Sequence, residues 1–235
     1  MCGRYTQITG DDCIAAFEPQ ERLGQPARPR YNIAPTQLAP AILLNPQHRT
    51  ACIDAHWGLA LPSGRASLNP SPLINARSET VATKPAFRAA YCTSRCLVPA
   101  DGFYEWTTPS RAPRTRLPIL FQRADRLPFA FAGLWQANPA QPGLIRFAIL
   151  TMPANNLIQP IHHRMPLILT PLTAAQWLEH PDPLADPAFN TPFPADQMRS
   201  ALANPRLNSA RVDDPQCLIP TASPAAPPSL PSLFD

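Results

Sequence analysis

The sequence predicts a strand-rich α+β fold, with one domain over residues 2–220 and a flexible tail over residues 221–235. Two observations lead there. Proline fills 33 of 235 positions and glycine only 8. That disfavours long helices and leaves short strands, turns and extended segments. Hydrophobic residues make up 45% of the chain and fall in short apolar runs bounded by turn formers, the pattern of strands. With 15% charged residues and a net charge of +4, the chain is too apolar for wholesale disorder and long enough for a sizeable core.

Each element follows from its local pattern. Residues 1–8 read as a short strand or extended start. Asp11–Glu18 reads as a helix capped by Asp. A loop rich in Pro and Arg runs on to Arg30. Ala39–Leu44 and His56–Leu59 read as strands, and residues 60–72 as a polar loop. Arg95–Ala100 and Phe103–Thr107 read as strands separated by the turn signal Asp101-Gly102. Further strands are expected at Leu117–Arg123, Phe129–Trp135, Arg146–Thr151 and Pro166–Thr170. Thr173–Leu178 reads as a short helix that starts at a Thr cap. No internal repeat is visible. The Pro-, Ala- and Ser-rich tail ends in Ser232-Leu233-Phe234-Asp235, an apolar pair that could anchor in a partner groove, as similar tails do on the replication clamp.

Composition also excludes classes. No apolar run approaches the ~18 residues of a spanning helix, and no apolar signal segment follows Met1. A cytoplasmic, monomeric protein without membrane contact is expected. All but one of the 20 basic residues are Arg, the exception being Lys84. A charge of +4 is compatible with nucleic acid without demonstrating it. The six cysteines are irregularly spaced, so disulfides are not expected. Cys92 and Cys96 form a C-x3-C pair with no second pair, and read as two small buried thiols rather than a metal site. No cofactor is expected.

Cys2 is the residue with distinctive chemistry. Removal of Met1 would expose an α-amine and a thiol on adjacent carbons. Such an amine has a pKa of ~7.7–8.0, so part of it is neutral at pH 7 and can condense with an aldehyde. The thiol can then close on the same carbon to give a five-membered thiazolidine. Taken alone, Cys2 reads more readily as an ordinary small residue after the start codon.

Eight segments in order change that weighting. They are Met1-Cys2-Gly3-Arg4-Tyr5, Arg30-Tyr31-Asn32-Ile33-Ala34-Pro35-Thr36, Trp57-Gly58-Leu59 and Asn75-Ala76-Arg77-Ser78-Glu79-Thr80. Then come Arg95-Cys96-Leu97-Val98-Pro99-Ala100-Asp101-Gly102-Phe103-Tyr104-Glu105-Trp106, Phe131-Ala132-Gly133-Leu134-Trp135, Thr151-Met152-Pro153-Ala154-Asn155 and Ile161-His162-His163-Arg164-Met165-Pro166. The series resembles the SRAP family of SOS-response-associated peptidase-like proteins over roughly residues 2–180.

That resemblance implies a curved, barrel-like, largely antiparallel sheet. It also implies binding to single-stranded DNA that carries an abasic site, and a covalent link through Cys2 that shields the lesion. The family's peptidase name implies release of Met1, by self-catalysis or by an ordinary Met aminopeptidase, and a Schiff base permits a weak lyase side reaction. Cys2, Asn75, Glu105 and His162 match the family's catalytic positions. Glu105 and His162 would move protons, and Asn75 would orient the Cys2 amine or the sugar. Arg4, Asn32, Pro35, Arg77, Trp106 and Thr151 match positions that line the DNA groove. Arg77 would grip a phosphate. By residue type alone Trp106 suits a core or a base platform equally well.

Two departures stand out. Family members often carry Asp where this chain has His163. The aromatic wedge expected after Trp-Gly-Leu is absent from Pro62-Ser63-Gly64-Arg65. Two other functions remain open at this level: an N-terminal-nucleophile amidase or peptidase, with Cys2 attacking a carbonyl, and a noncovalent single-strand binder. They differ from aldehyde capture in the electrophile and in any preference for the abasic site.

Overall fold

The computed structural model describes residues 2–60, 72–107, 116–138, 141 and 143–220. In chain order the elements are β1 (Tyr5–Gln7), α1 (Asp11–Ala15), β2 (Glu21–Arg22), β3 (Arg30–Ile33), β4 (Leu38–Leu44), β5 (Thr50–Trp57) and β6 (Asn75–Arg77). They continue with α2 (Pro85–Thr93), β7 (Arg95–Ala100), β8 (Gly102–Trp106), β9 (Pro118–Arg123), β10 (Phe129–Ala137) and β11 (Ile145–Pro153). The last are β12 (Arg164–Pro166), β13 (Ile168–Leu169), α3 (Pro171–Glu179), α4 (Pro187–Asn190) and β14 (Met198–Leu202). The expected α+β, strand-rich class is what the chain adopts.

Two sheets carry the fold. One has the order β14-β9-β8-β1-β3, with antiparallel neighbours throughout. The other follows β12-β11-β10-β7-β4-β5-β2. It curls until β5 meets β11 in parallel at Arg146↔His56 and Phe147↔Trp57. The result is a partial ring rather than a true barrel. An aromatic cluster joins the two sheets. Tyr5 of the first meets Trp57 and Phe131 of the second edge-on, at 5.3 and 5.5 Å, and Phe103 packs at 6.1 Å from Phe131. These rings are fully buried, and edge-on pairs add to the energy of area burial. Strands β7 and β10 approach closely at Gly133, where a Cβ would lie 2.8 Å from Cys96 Sγ.

Several boundaries differ from expectation for identifiable reasons. The first helix ends at Ala15 rather than Glu18, because Glu18 takes a positive φ of 45° just before Pro19. Its N-cap is Gly10, not an Asp. A Cβ there would lie 2.7 Å from the Ala27 carbonyl, while Asp11 and Asp12 occupy the first turn and favour the helix dipole. Strand β5 spans Thr50–Trp57 and stops before Gly58, whose φ is 129°. The third helix begins at Pro171, with Thr170 as its N-cap, and the Thr173 hydroxyl accepts from the Thr170 amide at 3.1 Å. Thr173 is therefore the third helical residue, not the cap. The sequence reading assigned no helix to Pro85–Thr93, although Phe87, Ala90 and Tyr91 bury one face at helical spacing. Cys96 is buried but Cys92, near the end of α2, is exposed, which corrects the expectation of two buried thiols.

Residues 203–220 wrap the outer face of the first sheet. There Leu207 and Cys217 pack with Tyr104 and Leu120 in a second small core. Asp213 secures this wrap by pairing with Arg30 and accepting from the Tyr31 and Asn32 amides at 2.6 and 3.0 Å. The wedge position at 62–65 and the 221–235 tail lie outside the described residues. Among the described residues no helix is long and apolar enough to cross a membrane.

Candidate active site

Four segments far apart in sequence converge on Cys2. The first is the extended start of the chain. β1 pairs with β8 at Tyr5↔Phe103, and the ladder continues where the Tyr104 amide donates to the Arg4 carbonyl at 3.0 Å. This register sets Glu105 beside the residues that precede β1. Strand alternation then sorts the side chains. Phe103 turns into the main core, whereas Tyr104 and Trp106 pack with the second one. Glu105 is on the Phe103 side and is only 4% exposed.

Cys2 is fully buried. Burial, and then the neighbouring Glu105, raise its thiol pKa, so the sulfur is held as S–H. Its backbone carbonyl accepts from Asn75 Nδ2 at 2.8 Å. Asn75 opens β6, which runs parallel to β11 with Ile149↔Asn75 in register. Among the described residues nothing donates to Asn75 Oδ1, although that atom is buried. A buried acceptor at such a place is suited to an incoming N–H or O–H.

His162 arrives from the loop before β12. Its Nδ1 lies 3.9 Å from Glu105 Oε1. The same nitrogen sits within 3.0 Å of the Arg164 amide and 3.1 Å of the Arg164 carbonyl, a backbone clamp on the ring. Burial lowers the pKa of His162 and raises that of Glu105. Both shifts favour the neutral forms. A carboxyl group tuned upward beside an imidazole tuned downward is an arrangement for moving protons near neutral pH.

The clamp has its own support. Arg164 is 7% exposed. Its guanidinium holds Glu79 through both carboxylate oxygens and reaches Thr151 as well. Neither Glu79 nor Arg164 drew a functional role from the sequence, for no spacing rule links residues 85 positions apart. Both lie in segments that carry the family resemblance, and that is their one signal in the sequence.

The six expected groove residues divide into two groups. Arg77 is exposed at the end of β6, and Pro35 and Trp106 are half-buried. Arg4 lies over the Trp106 ring at 5.9 Å, and Trp106 Nε1 donates to Asn208 Oδ1 at 2.7 Å. Pro35 precedes Thr36, a β-branched residue at φ 71°. That conformation is costly for such a side chain, and it is held by Thr36 N–H to the Trp57 carbonyl at 2.8 Å.

Asn32 and Thr151, in contrast, are 0% exposed. The Asn32 amide donates to the Ser209 and Val212 carbonyls at 3.0 and 2.6 Å and accepts from Arg4 Nη1 at 3.0 Å. The Thr151 hydroxyl donates to the Ala76 carbonyl at 3.3 Å. In this structure both stand beneath the surface and support the residues that face it. A cleft of about 670 Å³ elsewhere, lined by Leu43, Arg95, Trp135 and Leu178 among others, shares no residue with this cluster.

The chain is similar to known proteins over most of its length. The profile of the SOS response associated peptidase (SRAP) family matches residues 1–210. The abasic site processing protein YoqW of Bacillus subtilis (strain 168) is 34% identical over 224 residues, 93% of this chain and 99% of that one. The abasic site processing protein YedK of Escherichia coli (strain K12) is 32% identical over 186 residues, 76% of this chain and 79% of its own. A crystal structure of a protein from Bordetella bronchiseptica superposes with a TM-score of 0.71 at 27% identity, covering 86% of this chain and all of that one.

Proposed function

The chain belongs to the SOS response associated peptidase family, and from that premise we propose that it captures abasic sites in single-stranded DNA through a covalent bond to Cys2. The observation that carries this reading is the convergence of Asn75 and Glu105 on the second residue of the chain, with His162 beside Glu105. An ordinary interior cysteine has no need of such a setting. The names of the relatives supply the electrophile, because a ring-opened abasic sugar is an aldehyde.

The chemistry balances without a further reactant. While Met1 is attached, the Cys2 nitrogen is a peptide amide. Hydrolytic loss of Met1 frees the amine. The amine adds to the sugar aldehyde carbon, and water leaves as the C=N bond forms. The Cys2 sulfur then bonds to that carbon, and its proton passes to nitrogen. The product is protein plus DNA less one water. Glu105 serves as the acid and base for these transfers, and His162 handles the sugar hydroxyl as the ring opens. Asn75 fixes the Cys2 backbone and offers Oδ1 to the amine. Arg4 and Arg77 meet phosphates, and Trp106 meets a base. Asn32, Pro35 and Thr151 shape the groove from which these residues act. If closure fails, the imine permits β-elimination of the 3′ phosphate, a weak lyase reaction.

Intact mass of the untagged protein, before and after incubation with a single-stranded abasic oligonucleotide, tests the proposal. The expected result is loss of Met1, then an adduct lighter than the sum of its parts by one water. It should be absent with intact DNA and with Cys2→Ala. A Cys2→Ala protein that still crosslinks would refute it. A processed protein that forms no adduct but hydrolyses amides would favour the amidase reading.

A further inference from the structure

His163 is the titratable residue of the Ile161–Pro166 segment that the chemistry above leaves unused. Its backbone is fixed, because its carbonyl accepts from the Ala154 amide at 3.1 Å. Its ring lies on the His162 ring, with centroids 4.6 Å apart and planes 24° from parallel. One face is therefore covered, while the residue as a whole is exposed. His162 is in turn 3.9 Å from Glu105. The two imidazoles form a short stack that starts at the reacting centre and ends in solvent.

We propose that the outer face of His163 is a stacking platform for the nucleobase beside the abasic position. The inference rests on the function proposed above and names a contact for it. Single-strand binders hold bases on aromatic faces, and such contacts tolerate any base because each has a π-face. A nucleotide that has lost its base leaves its neighbour without a stacking partner on one side. A planar ring one residue outward from the catalytic histidine is placed to replace it. Partial desolvation, together with the nearby His162, Arg164 and Arg77, holds the His163 pKa below its ordinary value. A neutral ring favours a base over a phosphate, and the phosphate falls to Arg77 instead.

The test uses single-stranded oligonucleotides with a tetrahydrofuran abasic analogue, which has no aldehyde and forms no adduct. A 2-aminopurine is placed on one side of the analogue or on the other. Wild-type protein should quench the probe on one side only. His163→Ala should abolish that quenching and weaken binding about 10-fold, within the range for loss of one aromatic–base stack. His163→Phe should restore both. Equal quenching and equal affinity for wild type and His163→Ala would overturn the proposal. So would a Phe variant that behaves like Ala, since a platform needs only a flat ring. Because the analogue cannot react, these outcomes are separate from the adduct assay, where failure would count against the covalent chemistry instead.

Discussion

Asn32→Ala separates a DNA contact from a support beneath one. Asn32 is wholly buried, and its amide is the hub between Arg4 and the wrap of residues 207–212. Alanine removes two donated hydrogen bonds at 3.0 and 2.6 Å and one accepted from a guanidinium at 3.0 Å. Each such bond contributes about 1 kcal/mol net, more when one partner is charged, so the loss should be about 3–4 kcal/mol. In a domain of this size each kcal/mol moves Tm by about 2–4 °C, which gives a fall of about 6–16 °C. Thermal unfolding followed by circular dichroism measures it. DNA affinity, taken well below the transition, should fall as it does in Arg4→Ala. The double variant should be less than additive, because both changes break one connection. An Asn32→Ala protein with wild-type Tm and lost DNA affinity would refute this reasoning and make Asn32 a direct contact.

Further outcomes follow from the site. Glu105→Gln should slow adduct formation by about 10²–10⁴-fold, the usual value of a positioned acid–base group. Burial raises the Glu105 pKa, so the folded state binds its proton more tightly than the unfolded state does. Stability should therefore decline as pH rises above ~4.3, and Tm measured from pH 4 to 8 should show less of that decline in the Gln variant. Burial lowers the His162 pKa, so the adduct-rate profile should show, besides the limb set by the amine at ~7.7–8.0, a second acid limb below pH ~6.5, and His162→Gln should abolish that second limb. Arg164→Lys should lose the two-pronged grip on Glu79 and shift that same acid limb, a readout that a purely structural role would not move. Arg164 holds the Glu79 pKa down. The stability this pair adds should be present above pH ~4.3 and vanish as pH falls through the lowered value. It should be small, because the Glu79 side chain is 44% exposed.

Much of the chemistry was legible in the chain itself. An amine-bearing cysteine at position 2, a carboxylate in Gly102–Trp106 and a histidine in Ile161–Pro166 could be named without coordinates. The alternation that separates Phe103 and Glu105 from Tyr104 and Trp106 follows from the period of a strand, a local property that any extended segment shares. Short strands at proline-rich spacing were visible for the same reason. The curved sheet came from the resemblance, and the structure shows it as a partial ring.

Other features depended on residues too distant in sequence to be paired by pattern. Asn32 is buried because the 207–212 segment closes over it. Thr151 faces inward because β6 lies alongside β11. Cys92 is exposed while Cys96 is buried because a helix ends and a strand begins between them. Glu79 became relevant to His162 only through Arg164. Residue type and period are written in the chain one neighbourhood at a time. Burial and long-range register are set by the whole packed molecule, and they decide which of the same residue types touch the substrate and which hold the others in place.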